Sequence, residues 1–165
     1  MARRKPESMS KPKIKCQPET VATAEAKCHS DQRLVQRICF IDDDKDNRRQ
    51  WLEWAERRGL SATAFESAFD ANGTPADAFV FDVSAVSPMM VGHHAYAPIC
   101  RLMADHPGAE IIVGSCMSRN AVEDVLDDVE RVAGRRPLFF DASEGFRGLE
   151  RVMDTLNDQA RRRRE

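Results

Sequence analysis

The chain has 165 residues, enough for one domain with a proper core and a tail. Its 25 basic and 27 acidic side chains nearly cancel to −2, so overall charge argues neither for nor against a nucleic-acid partner. The five cysteines Cys16, Cys28, Cys39, Cys100 and Cys116 include no C-x-x-C pair, and Cys28-His29 is too short for a zinc site; reduced thiols are expected. No run is apolar enough to span a bilayer, and the N-terminus lacks a signal-peptide core, so the expectation is a soluble cytoplasmic protein.

Residues 1–32 hold most of the lysines and several prolines with few large apolar side chains, and read as a flexible basic extension. From Arg33 the pattern changes to alternating strands and helices. Ile38–Ile41 is the first apolar burst, and it runs straight into Asp42-Asp43-Asp44. A helix is predicted over Asn47–Arg58, stopped by Gly59, with Trp51, Leu52 and Ala55 on adjoining faces. Trp51 and Trp54 read as packing residues, with one of them a candidate docking surface. A weaker strand covers Ser61–Phe65, followed by a short helix over Ser67–Ala71 that ends at Asn72-Gly73. Ala78–Phe81 is the next strand and leads to Asp82; the following loop carries the apolar run Met89-Met90-Val91. His93–Asp105 forms a helix that stops before Pro107-Gly108, with His93-His94 read as exposed polar residues rather than metal ligands. Glu110–Val113 leads to Gly114-Ser115. Asn120–Ala133 is the clearest helix, with Val122, Val125, Leu126, Val129, Val132 and Ala133 in one stripe and Asn120/Glu123 as a capping box. Leu138–Phe140 leads to Asp141, and a last helix over Ser143–Ala160 turns Leu149, Val152, Met153 and Leu156 inward. Residues 161–165 are a short basic tail.

Strand-helix repeated five times predicts a doubly wound α/β sandwich, with 33–160 as its domain. Ligands of such sheets bind at the carboxyl ends of the strands, where Asp42, Asp43, Asp82, Ser115 and Asp141 would meet. Crowded carboxylates repel one another and are tolerated around a cation. For Asp42 alone, capping of the first helix is the favoured explanation.

The chain resembles the receiver domain of two-component response regulators over about residues 36–158. The resemblance rests on Ile41-Asp42-Asp43-Asp44, on Asp77-Ala-Phe-Val-Phe-Asp82, on Ser87-Pro88, and on Ile111-Ile112-Val113-Gly114-Ser115-Cys116. It implies the CheY-like, flavodoxin-type fold, a five-stranded parallel sheet in the order 2-1-3-4-5. It implies Asp82 as the phospho-acceptor, with Asp42, Asp43 and the backbone carbonyl of Ser84 joining Asp82 around Mg²⁺, and Ser115 as the switch hydroxyl. The implied partners are a histidine kinase or phosphotransfer protein and a downstream protein target. The target is expected on the face of the helices over 120–133 and 143–160 and the strand between them, which is also the expected homodimer face. No fused output domain, membrane partner or enzymatic activity is expected, and nucleic acid only through the basic tails.

The departure from the family is at the fifth strand, where Lys-Pro is usual and this chain has Phe140-Asp141-Ala142; no lysine follows Lys45. Asp141 then stands at the lysine position and Leu138 at that of the switch aromatic. Exchanging a cation for an anion changes the local charge by two units, and one unit pair at 4 Å is worth about 4 kcal/mol at an effective dielectric of about 20. Such a site favours cations and disfavours a phosphoryl group. Arg135 or Arg136 is the nearest substitute cation. The expectation is an atypical receiver or pseudo-receiver, accepting phosphate on Asp82 or docking a partner without it. A haloacid dehalogenase-like phosphatase is the alternative enzyme, with Asp42 as nucleophile, Asp44 as acid, Ser115 in its second motif and Asp141 as a Mg²⁺ ligand; it leaves Asp82 unexplained and lacks its lysine. A structural interaction domain is the third reading.

Overall fold

The computed structural model describes residues 35–83, 96–117 and 119–162. The basic extension, Ser84, Ser87-Pro88, Met89-Met90-Val91 and His93-His94 lie outside them.

Five strands, β1 (Arg37–Ile41), β2 (Ser61–Phe65), β3 (Ala78–Asp82), β4 (Glu110–Ser115) and β5 (Leu138–Asp141), form one parallel sheet in the order β2-β1-β3-β4-β5. The helices described are α1 (Lys45–Arg57), α2 (Tyr96–Asp105), α3 (Arg119–Ala133) and α4 (Phe146–Arg162). This is the doubly wound sandwich that the alternating pattern predicts, and its strands fall where the apolar bursts do.

Alternation along the strands sends successive side chains to opposite faces. Cys39, Ile41, Phe79, Phe81, Ile111 and Val113 face α2 and α3, where Ile99, Leu102, Val122, Leu126 and Val129 close an aliphatic layer. Ile38, Phe40, Val80, Ile112 and Phe140 face α1 and α4, meeting Trp54, Ala55, Leu149 and Met153. Full burial of each such side chain is worth about 1.5–3 kcal/mol. Cys39 is a buried free thiol, and burial pushes its pKa up to about 11, so it acts as a small apolar residue.

The start of α1 is set by Asp44, whose carboxylate accepts from the N–H groups of Asp46 (2.7 Å) and Asn47 (3.1 Å). Its end is a Schellman turn: the Gly59 N–H reaches the Glu56 carbonyl and the Leu60 N–H that of Ala55, both at 3.0 Å. Gly59 holds φ at 68°, which a side chain would strain.

Four expectations change. Residues 67–71 form turns rather than a helix, with the Ser67 hydroxyl bonded to Asp70 (2.7 Å) and Ala71 buried as a plug. Five residues cannot offset the cost of nucleating a helix. Asn120 lies within the first turn of α3, not ahead of it, and its supposed partner Glu123 pairs with Arg136 instead. Val132 is 62% exposed although it continues the apolar stripe, because it sits at the stripe's margin while the next residue, Ala133, still packs on the core. Neither tryptophan is a free docking surface: Trp54 is buried and Trp51 is half-buried among aromatic rings.

Candidate functional site

β1 and β3 are neighbours, with Ile41 opposite Phe81, so Asp42 and Asp82 follow side by side at the carboxyl edge of the sheet. Strand alternation gives both the parity of Phe40 and Val80, towards α1 and α4.

Asp42 is buried, with 2% of its surface exposed. Its Oδ1 accepts from the Asp44 N–H (2.8 Å), and its Oδ2 accepts from the indole Nε1–H of Trp51 (3.2 Å). Its own carbonyl oxygen accepts from Arg48 Nη1 at 2.6 Å, and its N–H donates to the Phe65 carbonyl at 3.1 Å. Burial pushes the Asp42 carboxyl above the usual carboxylate range. The Asp44 and Trp51 donors pull it back, the charge of Asp82 pushes it further up, and the net direction is up.

Asp82 is half-buried. It lines a cavity of about 10 Å³ with Phe40, Trp51, Val80, Gly114, Phe140 and Ala142, about the least space that holds one water. Asp43, next to Asp42, is exposed. Ser115 is fully buried and takes the opposite strand parity, and its Oγ accepts from the Met117 N–H at 3.0 Å. The hydroxyl is thus engaged with the turn after β4.

Asp141 lies opposite Ser115 in the β4–β5 register, at the same edge. Its Oδ1 accepts from the N–H (2.9 Å) and hydroxyl (2.5 Å) of Ser143, capping the 3-10 turn Ala142–Glu144. Those two bonds, with Arg151 nearby, hold its carboxyl below the usual range. It is an exposed cap rather than a third acid turned onto Asp42. Neither arginine proposed as a substitute cation stands at this edge. Arg135 donates to the carbonyls of Ala109 (2.8 Å) and His106 (3.3 Å) at the opposite edge. Arg136 pairs with Glu123, Asp127 and Glu130 along α3.

Between Gly114 and Gly148 the Phe140 ring sits in a slot. A Cβ on Gly114 would lie 2.5 Å from the ring, and one on Gly148 would lie 3.0 Å from it. The ring also meets Trp51 edge-on at 6.2 Å.

Among the described residues no three His, Cys, Asp or Glu side chains gather closely enough to make a metal cage. Mg²⁺ does not need one, since one or two carboxylates with waters suffice. Hard oxygen donors side by side at one edge, one of them raised by burial and further by the charge of its neighbour, suit that ion chemically. Trp51 and Arg48 are the partners of Asp42 that composition does not reveal. Their signal was spacing, since positions 47/48, 51 and 54/55 share the α1 face that the Asp44 cap turns towards β1.

No family model matches the sequence, and no curated protein matches it. Solved structures do. A response regulator receiver domain (CheY-like) from Methylobacillus flagellatus is 16% identical, with a TM-score of 0.52 over 74% of this chain and 98% of that one. A response regulator protein, TrrA, from Thermotoga maritima, in complex with Mg²⁺ and BeF, is 18% identical, with a TM-score of 0.55 over 73% of this chain and 98% of that one. A response regulator protein from Burkholderia pseudomallei with a phosphorylated aspartic acid, calcium ion and citrate is 13% identical, with a TM-score of 0.52 over 75% and 72%. With strand order, helix placement and these neighbours in agreement, the chain has the fold of response regulator receiver domains.

Proposed function

We propose that the chain is a receiver-type module of two-component signalling, with Asp82 as its phospho-acceptor. The observation that carries the reading is the juxtaposition of Asp42 and Asp82 at the carboxyl edge of a 2-1-3-4-5 sheet. Mg²⁺, present in the Thermotoga neighbour, would be held by Asp43 and Asp82 with the Ser84 carbonyl, and Asp42 would lie behind them. When bound, the ion would neutralise charge on the phosphoryl oxygens.

The chain's own part is nucleophilic. An Asp82 oxygen attacks the phosphorus of a phosphohistidine; a P–O bond forms, the P–N bond breaks, and the imidazole nitrogen leaves with its electron pair, giving an acyl phosphate. The Ser115 Oγ accepts from the Met117 N–H, which leaves its hydroxyl proton to donate to a phosphoryl oxygen. Without the lysine, nothing from β5 balances the charge, so the acyl phosphate should be short-lived or formed slowly. A downstream protein would read the face of α3, β5 and α4, where a groove of about 420 Å³ runs along Phe139, Val152 and Leu156.

The phosphatase reading loses its residues. Asp44 caps α1 and Asp141 caps the Ser143 turn, so neither is a free acid facing Asp42.

The test is incubation with Mg²⁺ and acetyl phosphate followed by intact mass. One added phosphoryl group, absent in Asp82→Asn, supports the proposal. A chain that takes none while still binding a partner protein is a docking module, and the acceptor role of Asp82 is then wrong.

A further inference from the structure

The residue at the acidic edge that neither the motif nor the fold explains is Trp51. Its ring stacks on Phe40 at 5.4 Å and 12°, and it meets Phe146, the first residue of α4, edge-on at 4.8 Å. Its only polar atom donates to Asp42 Oδ2 at 3.2 Å. The ring is therefore fixed by β1 and α4, and its N–H is aimed by that fixation. The second tryptophan of the same helix is built alike but serves another carboxylate: Trp54 stacks on Phe146 at 6.0 Å, and its Nε1 donates to Glu150 at 3.2 Å.

We propose that Trp51 is a positioning residue for the acidic edge: its indole N–H fixes the Asp42 carboxylate beside Asp82, and its ring ties that carboxylate to the start of α4. The proposal rests on the cation-binding part of the reading above. The physical argument is one of satisfaction. Asp42 is buried beside Asp82, and each of its carboxylate oxygens is held in orientation by a donor. One of those donors is backbone and cannot be lost, the Asn47 amide adds a lesser one, and the donor on Oδ2 is Trp51. Removing it takes away the donor on Oδ2 and loosens the buried carboxylate from its place behind Asp43 and Asp82. The coupling to α4 follows because Phe146 and Asp42 touch the two ends of one rigid indole.

The probe is Mg²⁺ alone, titrated into ¹⁵N-labelled full-length chain. The two tryptophans give two indole N–H signals. Mg²⁺ should move the Trp51 indole signal and leave that of Trp54, with the backbone amides of Asp43 and Asp82 moving at the same concentrations. Trp51→Phe keeps an aromatic ring, though a smaller one, against Phe40 and Phe146 and removes the donor, and should weaken Mg²⁺ binding about tenfold, the equivalent of about 1.4 kcal/mol. Trp54→Phe should leave it unchanged. If the Asp43 and Asp82 amides move while the Trp51 indole does not, or if both variants bind Mg²⁺ like the parent, the positioning role is wrong and the cation site stands. If Mg²⁺ moves none of these signals, the cation site and the role of Trp51 fall together.

Discussion

The two edges of the sheet are built on opposite terms. At the amino edge Asp77 and Arg135 are tied to close partners. Asp77 accepts from the N–H groups of Gln36 (3.1 Å) and Arg37 (2.9 Å) and pairs with the Arg37 guanidinium at 2.7 Å, while Arg135 crosses to the carbonyls of His106 and Ala109. At the carboxyl edge Asp42 lies beside Asp82, and its carboxylate is held by neutral donors, a backbone N–H, an indole and the Asn47 amide. One edge is arranged for stability. The other keeps a like-charge neighbour, the cost that functional sites commonly carry.

That contrast can be broken by three substitutions. Asp77→Ala should cost most, about 1–2 kcal/mol by chemical denaturation, because it removes an ion pair and the acceptor of two N–H groups, which water replaces only in part. Burial pushes the Asp77 carboxyl up, but Arg37 and the two N–H donors outweigh it and hold it below the usual range. Its contribution is therefore present above the unfolded value of about 4 and lost as pH falls through the lower folded value. The gap between variant and parent should close in acid. Asp42→Asn should run the other way. The folded carboxyl is raised, so ionising it costs stability above its folded value, and that cost disappears as pH falls towards about 4. The amide removes that cost at neutral pH, less the loss of one of the two acceptors, and any gain should melt away in acid. A loss at neutral pH would mean that the hydrogen bonds of Asp42 outweigh its burial beside Asp82. Arg136→Ala should matter least. Its three carboxylate partners are on the surface, and any fall in melting temperature should vanish in molar salt.

The strands were legible because a strand buried on both faces writes itself as an unbroken apolar run, as in Ile38–Ile41 and Glu110–Val113. Asp42 and Asp82 could be placed at one edge because strand direction follows from the alternation of strand and helix. What stayed hidden depends on where long side chains reach. Arg135 and Arg136 stand next to each other just before β5 and diverge, one to carbonyls below the sheet and one along α3. Trp51 looked like packing and is also a donor, because the pairing with Asp42 exists only once α1 lies across β1. The helix expected over Ser67–Ala71 failed for a local reason, a serine–aspartate turn that competes with so short a segment.

The ring of Phe140, wedged between two bare α-carbons, removes the slack from that corner of the molecule. β4, β5 and α4 must shift together or not at all. A pull on the Ser115 hydroxyl would travel through its neighbour Gly114 into the ring and on to Gly148, a lever whose arm is an aromatic plane and whose fulcrum is the absence of two methyl groups.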